Sequence, residues 1–279
     1  MKGGASGVLL VVALLAAAPL LGCGVESQIA RADKALQASN LEEAELRYRR
    51  VLDKDPDRIE ALYGLGWAYH LEGKTARART WFVRCRRVAP EDYRGEKGLG
   101  SIALAEGNLL LAEQHFEAAL ALAPDEPSVL NSLSLTHMAG RRYEKALALL
   151  EVLVASTPNR GEYRLNLAEA LYRLARYEEA LKSVDEALGQ QIRELRFKAL
   201  LLHLRARTLL AMTSGRLDPK DCAGTLPPIL AWLDRAGRDL DRAEGVGIAS
   251  EELLQVRHKL HRRRSILAET CPGTGGRGK

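Results

Sequence analysis

Four prolines, Pro56, Pro90, Pro124 and Pro158, stand 34 residues apart along a chain of 279. A constant interval of this length marks stacked repeats, in which each unit buries its apolar face only against its neighbours. Around each proline the same residue classes return at the same offsets. Leu62-x-x-Leu65-Gly66-x-x-Tyr69 precedes Ala78-x-x-x-Phe82 and Pro90, and the next copy keeps Leu99-Gly100, Ala112, Phe116, Ala119 and Pro124. Small residues at Gly66, Gly100 and Ala168, and at Ala44, Ala78, Ala112, Ala146 and Ala180, allow two helices to approach closely, while Tyr48, Tyr69, Phe82 and Phe116 fill the space beside them. Each proline ends a helix, and Asp57, Asp92, Asp125 and Asn159 are expected to cap the next. Gly73, Gly107 and Gly140 mark the tight turns within a repeat.

These residues resemble the tetratricopeptide repeat (TPR) family, a helix-turn-helix unit. The resemblance implies an all-α, right-handed α-solenoid with a divergent C-terminal helical cap. In this register the repeats are 25–58, with a degenerate first helix, then 59–92, 93–126, 127–160 and 161–194. The fourth has Ser134, His137 and Leu150 where glycine and aromatics stand elsewhere, and the fifth has Ile192 in place of the proline, where the periodicity ends. The resemblance also implies a concave groove lined by the first helices, with their fifth, ninth and twelfth positions facing a ligand. Those positions include Tyr63, Trp67, His70, Lys97 and Asn131, then Leu135, Met138, Leu165, Glu169 and Tyr172. Such a surface suits a helix or extended peptide with apolar anchors, although Leu135 and Leu165 can equally be core. The basic clamp by which some family members hold a C-terminal carboxylate is incomplete, because Asp33 and Glu169 occupy ninth positions.

The repeats follow an apolar run, Val8 to Leu21, preceded by Lys2 and ending Leu20-Leu21-Gly22-Cys23. The run is shorter than the ~20 residues a spanning helix needs, so 1–22 reads as a signal peptide. Its ending resembles the bacterial lipobox, which implies that Cys23 is the lipidated residue at a mature N-terminus of 23–24 and that the protein is anchored in a membrane. An ordinary secretory signal with an incidental cysteine is the alternative. Gly24 stands where an aspartate would resemble an inner-membrane retention signal, so the outer membrane, on its periplasmic side, is the expected location.

Beyond 194 the helices continue without the family spacing, and 195–271 reads as a modified final repeat plus capping helices that cover an exposed apolar end. Leu195–Met212 is apolar on more than one face, and 214–228, rich in Gly, Pro and Asp, reads as a long loop. Ile229, Leu233, Ala236, Leu240 and Ala243 return at helical spacing. Ser250 is placed to cap a last helix striped with Leu253, Val256, Leu260 and Leu267, and 272–279 is a loose tail. Cys85 falls on a periodic core position. Cys222 and Cys271 lie outside the apolar periodicity of a chain read as exported, so a disulfide between them is expected, with two free thiols as the alternative.

The chain carries 41 basic and 36 acidic residues, a net charge of +5, and this near balance makes no case for nucleic acid. No GxSxG, HExxH or phosphate-loop motif is present, and neither a metal nor a cofactor is expected. The basic run Arg257-His258-Lys259-x-His261-Arg262-Arg263-Arg264 reads as a solvated face or, more sharply, as a contact for anionic headgroups or lipopolysaccharide phosphates. The function expected is that of a non-enzymatic scaffold or assembly lipoprotein of the bacterial envelope, binding a protein or peptide partner in its groove. The architecture resembles pilotin-like factors for type IV pilus or secretion-system secretins, and adaptors of motility or peptidoglycan-processing complexes. An enzyme regulator acting through 195–271 is the reading from another class.

Overall fold

The computed structural model describes residues 24–189, 195–245 and 251–272; the signal segment and Cys23 lie outside the described residues. The described residues form thirteen helices and no strand. They are α1 (24–37), α2 (Leu41–Leu52), α3 (Ile59–Leu71), α4 (Thr75–Val88), α5 (Tyr93–Ala105) and α6 (Leu109–Leu122). Then come α7 (Pro127–Ala139), α8 (Tyr143–Ser156), α9 (Gly161–Arg173), α10 (Tyr177–Leu188), α11 (Leu195–Met212), α12 (Cys222–Gly245) and α13 (Glu251–Thr270). The starts of α3, α5, α7 and α9, and those of α2, α4, α6, α8 and α10, are each 34 residues apart. The 34-residue step also reaches α11, one helix past the expected end of the periodicity.

The chain divides into two compact units, Met1–Thr136 and His137–Lys279. In the first, consecutive helices from α2 to α6 pack on one another. Phe82 on α4 is its wedge. A Cβ on Gly66 would stand 2.5 Å from the Phe82 ring and one on Gly98 2.2 Å from it, so α3 and α5 both close on that ring by dispensing with a side chain. Ala44, Tyr48, Val51, Ala78, Phe82 and Cys85 are buried at the repeating positions. Tyr48 keeps its hydroxyl satisfied by donating to Asp33 Oδ1 at 2.6 Å, and burial together with that carboxylate pushes the phenol well above its ordinary range. Tyr69 does the same by donating to Glu45 Oε1 at 2.6 Å while accepting from Arg49.

The caps differ from the expectation. The residue immediately before each first helix is Arg58, Asp92, Glu126 or Arg160. Only Asp92 among the four expected caps occupies that register, and it accepts from the Arg94 N–H at 2.8 Å. Asp57, Asp125 and Asn159 sit one residue too early. Side-chain caps appear instead before second helices, where Asn40 and Asn108 accept from Glu43 and Leu111. The turn residue that must adopt a left-handed backbone is Gly73 (φ 75°) and Gly107 (φ 76°), but in the later repeats it is Arg141 (φ 56°) and Ala175 (φ 59°). Gly140 therefore stands one position ahead of the turn it was expected to make.

In the second unit α8 packs on α9, α9 on α10, and each helix from α10 on its successor through α13. Ala146, Leu150, Leu153, Ala180, Val184 and Ala187 continue the buried column. Helix α12 starts at Cys222, so the loop expected over 214–228 is much shorter. Asp221 explains the difference: its carboxylate accepts from Gly224 N–H at 3.0 Å and its carbonyl from Thr225 N–H, nucleating the helix ahead of Pro227 and Pro228. The prolines only remove the donors that would have met the carbonyls of the first turn. Cys222 is joined to Cys271 by a disulfide, with Cα atoms 5.9 Å apart, tying the start of α12 to the end of α13.

Candidate functional site

The spacing i, i+4, i+7 brings Tyr63, Trp67 and His70 to one face of α3. They form a ring cluster, with Trp67 edge-on to His70 at 5.2 Å and to Tyr63 at 6.0 Å. The cluster is not detached from the core. Phe82 lies 5.8 Å from Tyr63 and 6.0 Å from Trp67, and both rings pack against the buried cluster of the first unit while remaining half-buried. Burial holds the His70 imidazole below its ordinary range and raises the Tyr63 phenol.

Lys97, at the same position on α5, lies over the Tyr63 ring at 5.8 Å and donates to Ser128 Oγ at 2.7 Å. Ser128 donates in turn to Glu126 Oε1 at 2.6 Å. Burial lowers the Lys97 ammonium, against the pull of Glu126. Asn131 is half-buried, and Leu135, also on α7, is 38% exposed, which answers the open question for that residue in favour of surface. The first unit thus presents aromatic edges, an ammonium held on its α5–α7 side and an exposed leucine.

In the second unit the expected groove residues meet a different environment. Met138 is half-buried. Leu165 is half-buried and packs against Ala168, Val184, Leu201 and Leu204, so it is tied to the core. Glu169 is held by Arg173 at 2.7 Å and by Arg207 at 3.2 Å, and the Arg207 guanidinium stacks 4.5 Å from the Tyr172 ring centre. The ninth and twelfth positions of α9 are therefore engaged by α11.

Two arrangements escaped the reading of the sequence. Arg205 makes a two-pronged contact with Asp239 at 2.8 and 2.7 Å and reaches Asp185 at 2.7 Å, and Arg235 donates to both oxygens of Asp185. Asp239 is only 1% exposed. A carboxylate three residues beyond Ala236, inside the apolar stripe of α12, was the available signal. The second is a recess of about 350 Å³ between Tyr172, α11 and α13, with Arg207, Lys259, Arg262 and Arg263 on its walls. Among the described residues no three His, Cys, Asp or Glu side chains are grouped as a metal site, and no helix is long and apolar enough to cross a membrane.

Models of the tetratricopeptide repeat match residues 29–86 and 103–164. Those stretches of the chain are tetratricopeptide repeats. The chain is 27% identical over 154 residues to the anaphase-promoting complex subunit CDC16 of Saccharomyces cerevisiae, covering 53% of its own length and 18% of CDC16. Among solved structures, the Cut9–Hcn1 hetero-tetramer of APC/C matches 85% of the chain at a TM-score of 0.68 and 16% identity, with 42% of that chain covered. PilF of Pseudomonas aeruginosa matches 84% at a TM-score of 0.64 and 18% identity, with 97% of it covered. The chain thus spans less than half the length of CDC16 or of the APC/C chain, and these low identities bear on the fold alone. TPR proteins are generally non-enzymatic scaffolds that bind protein partners.

Proposed function

We propose that this protein is a lipid-anchored scaffold of the bacterial envelope, held to the outer membrane through Cys23, that binds a segment of a partner protein on the first helices of its repeats. The observation that carries the binding reading is the face in the first unit: half-buried Tyr63, Trp67 and His70 with Lys97 on the neighbouring helix, and Leu135 exposed on α7. Rigid aromatics with polar edges are the residues that anchor partner segments. The anchor rests on Leu20-Leu21-Gly22-Cys23.

Two experiments test the reading. Labelling cells with a fatty-acid analogue should mark the wild-type protein and leave Cys23→Ser unlabelled and unprocessed; equal label on both ends the lipoprotein reading. Affinity capture from crosslinked membranes should recover a protein with wild type and lose it with Leu135→Asp, whose melting temperature stays near wild type because the side chain is exposed. Capture unchanged by Leu135→Asp would move the binding surface elsewhere. The identity of the captured protein separates a pilotin-like role from an adaptor role in motility or peptidoglycan processing.

A further inference from the structure

The basic run on α13 is not a uniform charged face. Arg257 is neutralised by Asp241 at 2.8 Å and Glu244 at 2.7 Å, and Arg264 by Asp234 at 2.5 Å, all from α12. Arg263 donates to the Thr213 carbonyl at 2.6 Å, just past the C-terminal end of α11, where it offsets the negative end of that helix. Its Nε is buried without an acceptor among the described residues. Lys259 and Arg262 have no ion-pair partner there, and both line the recess beside Tyr172 and Arg207. Among the described residues no carboxylate lines the recess, and Glu169, which pairs with its Arg207, is already shared with Arg173.

Leu210, Ala211, Val256 and Ile266 add apolar surface to the lining of the recess. Free cations are therefore concentrated in a concave site with a partly apolar lining, while the carboxylates of Asp234, Asp241 and Glu244 sit along the α12 side of the same helix. Those carboxylates are already neutralised by Arg257 and Arg264, so shape separates the occupants: a flat bilayer surface does not enter a recess of about 350 Å³, whereas a single acidic side chain does. We infer that this recess takes an acidic side chain, presented next to an apolar one, from a segment of a partner protein; the inference rests on the partner-binding reading above. The volume suits one or two side chains rather than a whole helix, and charge-assisted hydrogen bonds from Lys259 and Arg262 would supply the recognition.

The test uses the purified chain with its disulfide intact and two pools of end-blocked, fluorescein-labelled peptides. In one pool Asp and Glu alternate with Leu and Phe; in the other Asn and Gln replace the acids. Fluorescence anisotropy should show the acidic pool binding about tenfold or more tightly, with the difference shrinking as salt rises. Lys259→Gln combined with Arg262→Gln should abolish that preference at an unchanged melting temperature, whereas Arg257→Gln, whose charge is satisfied outside the recess, should keep it. Equal binding of the two pools, or an undiminished preference in the double variant, would overturn the inference. So would tighter binding to phosphatidylglycerol vesicles than to the acidic pool, dependent on the same two residues, because it would put a membrane there. The peptide result does not depend on Leu135, so the recess and the partner-binding face of the first unit can fail separately.

Discussion

The residues that depart from the repeat pattern are the ones whose consequences can be measured. Arg141 and Ala175 hold a left-handed backbone at the turn where Gly73 and Gly107 stand in the better-formed repeats. Such a conformation costs an L-residue roughly 1 kcal/mol relative to glycine. Ala175→Gly should therefore stabilise the protein by up to about 1 kcal/mol in a denaturant titration, net of the extra freedom glycine gives the unfolded chain, and Gly107→Ala should destabilise it by a similar amount. Phe82 and Trp67 make the second comparison. Phe82→Ala empties a fully buried wedge and should cost ~3–5 kcal/mol. Trp67→Ala removes a half-buried ring that touches Phe82, so it should cost about 1–2 kcal/mol rather than nothing. Loss of binding in that variant must accordingly be read against its own melting curve, which is why the exposed Leu135 is the cleaner probe.

At the scale of elements, the Arg205–Asp239 pair sets how α10, α11 and α12 meet. Arg205 is 11% exposed at its side chain and Asp239 1%, so neither can be re-hydrated cheaply if the other is lost. Asp239→Ala should cost about 3 kcal/mol by leaving the guanidinium with Asp185 alone, whereas Arg205→Leu with Asp239→Leu should recover most of that loss. Circular dichroism melts of the three variants check it. A double variant no more stable than Asp239→Ala would show that the geometry of the pair, and not its desolvation balance, holds the helices in place. Helix α11 starts in step with the repeats but runs 18 residues against 13 for α9. Its apolar residues then meet α12 and α13 instead of a further repeat.

For the molecule as a whole, the two units are secured by different means. Residues of the first interlock through the periodic core, while the second adds the Cys222–Cys271 link across a separation of 49 residues. Closing a loop of that size stabilises by up to ~4 kcal/mol on the chain-entropy model. Cys222→Ser with Cys271→Ser should lower hydrogen-exchange protection in α11–α13 and leave α3–α6 at wild-type protection. Acid should affect both units. Burial holds His70 in the first and His203 in the second below the ordinary range, and Arg207 adds to the effect at His203. A histidine depressed in the folded state contributes its stability above about pH 6.5 and loses it as pH falls further, because the unfolded chain takes up the proton first. Melting temperature should therefore drop below about pH 6.5, and the drop should shrink in a His203→Gln variant.

The 34-residue recurrence determined the helical hairpins, the columns headed by Ala44 and Tyr48, and the register of every first and second helix, because close helix–helix packing admits few residue types at fixed offsets. It also placed Tyr63, Trp67 and His70 on one face, since that follows from helical geometry alone. What it could not determine was which of those side chains the rest of the chain would occupy. Leu165, Glu169 and Tyr172 fit the groove pattern as well as Trp67 does, yet α11 brings Arg207 and a leucine cluster onto them. The basic run of α13 likewise reads as one charged stretch, and only its packing against α12 divides it into neutralised arms and two cations facing a recess. Local pattern specifies which residues share a helix face; the partner that covers the face comes from residues far away in the chain, where no period connects them.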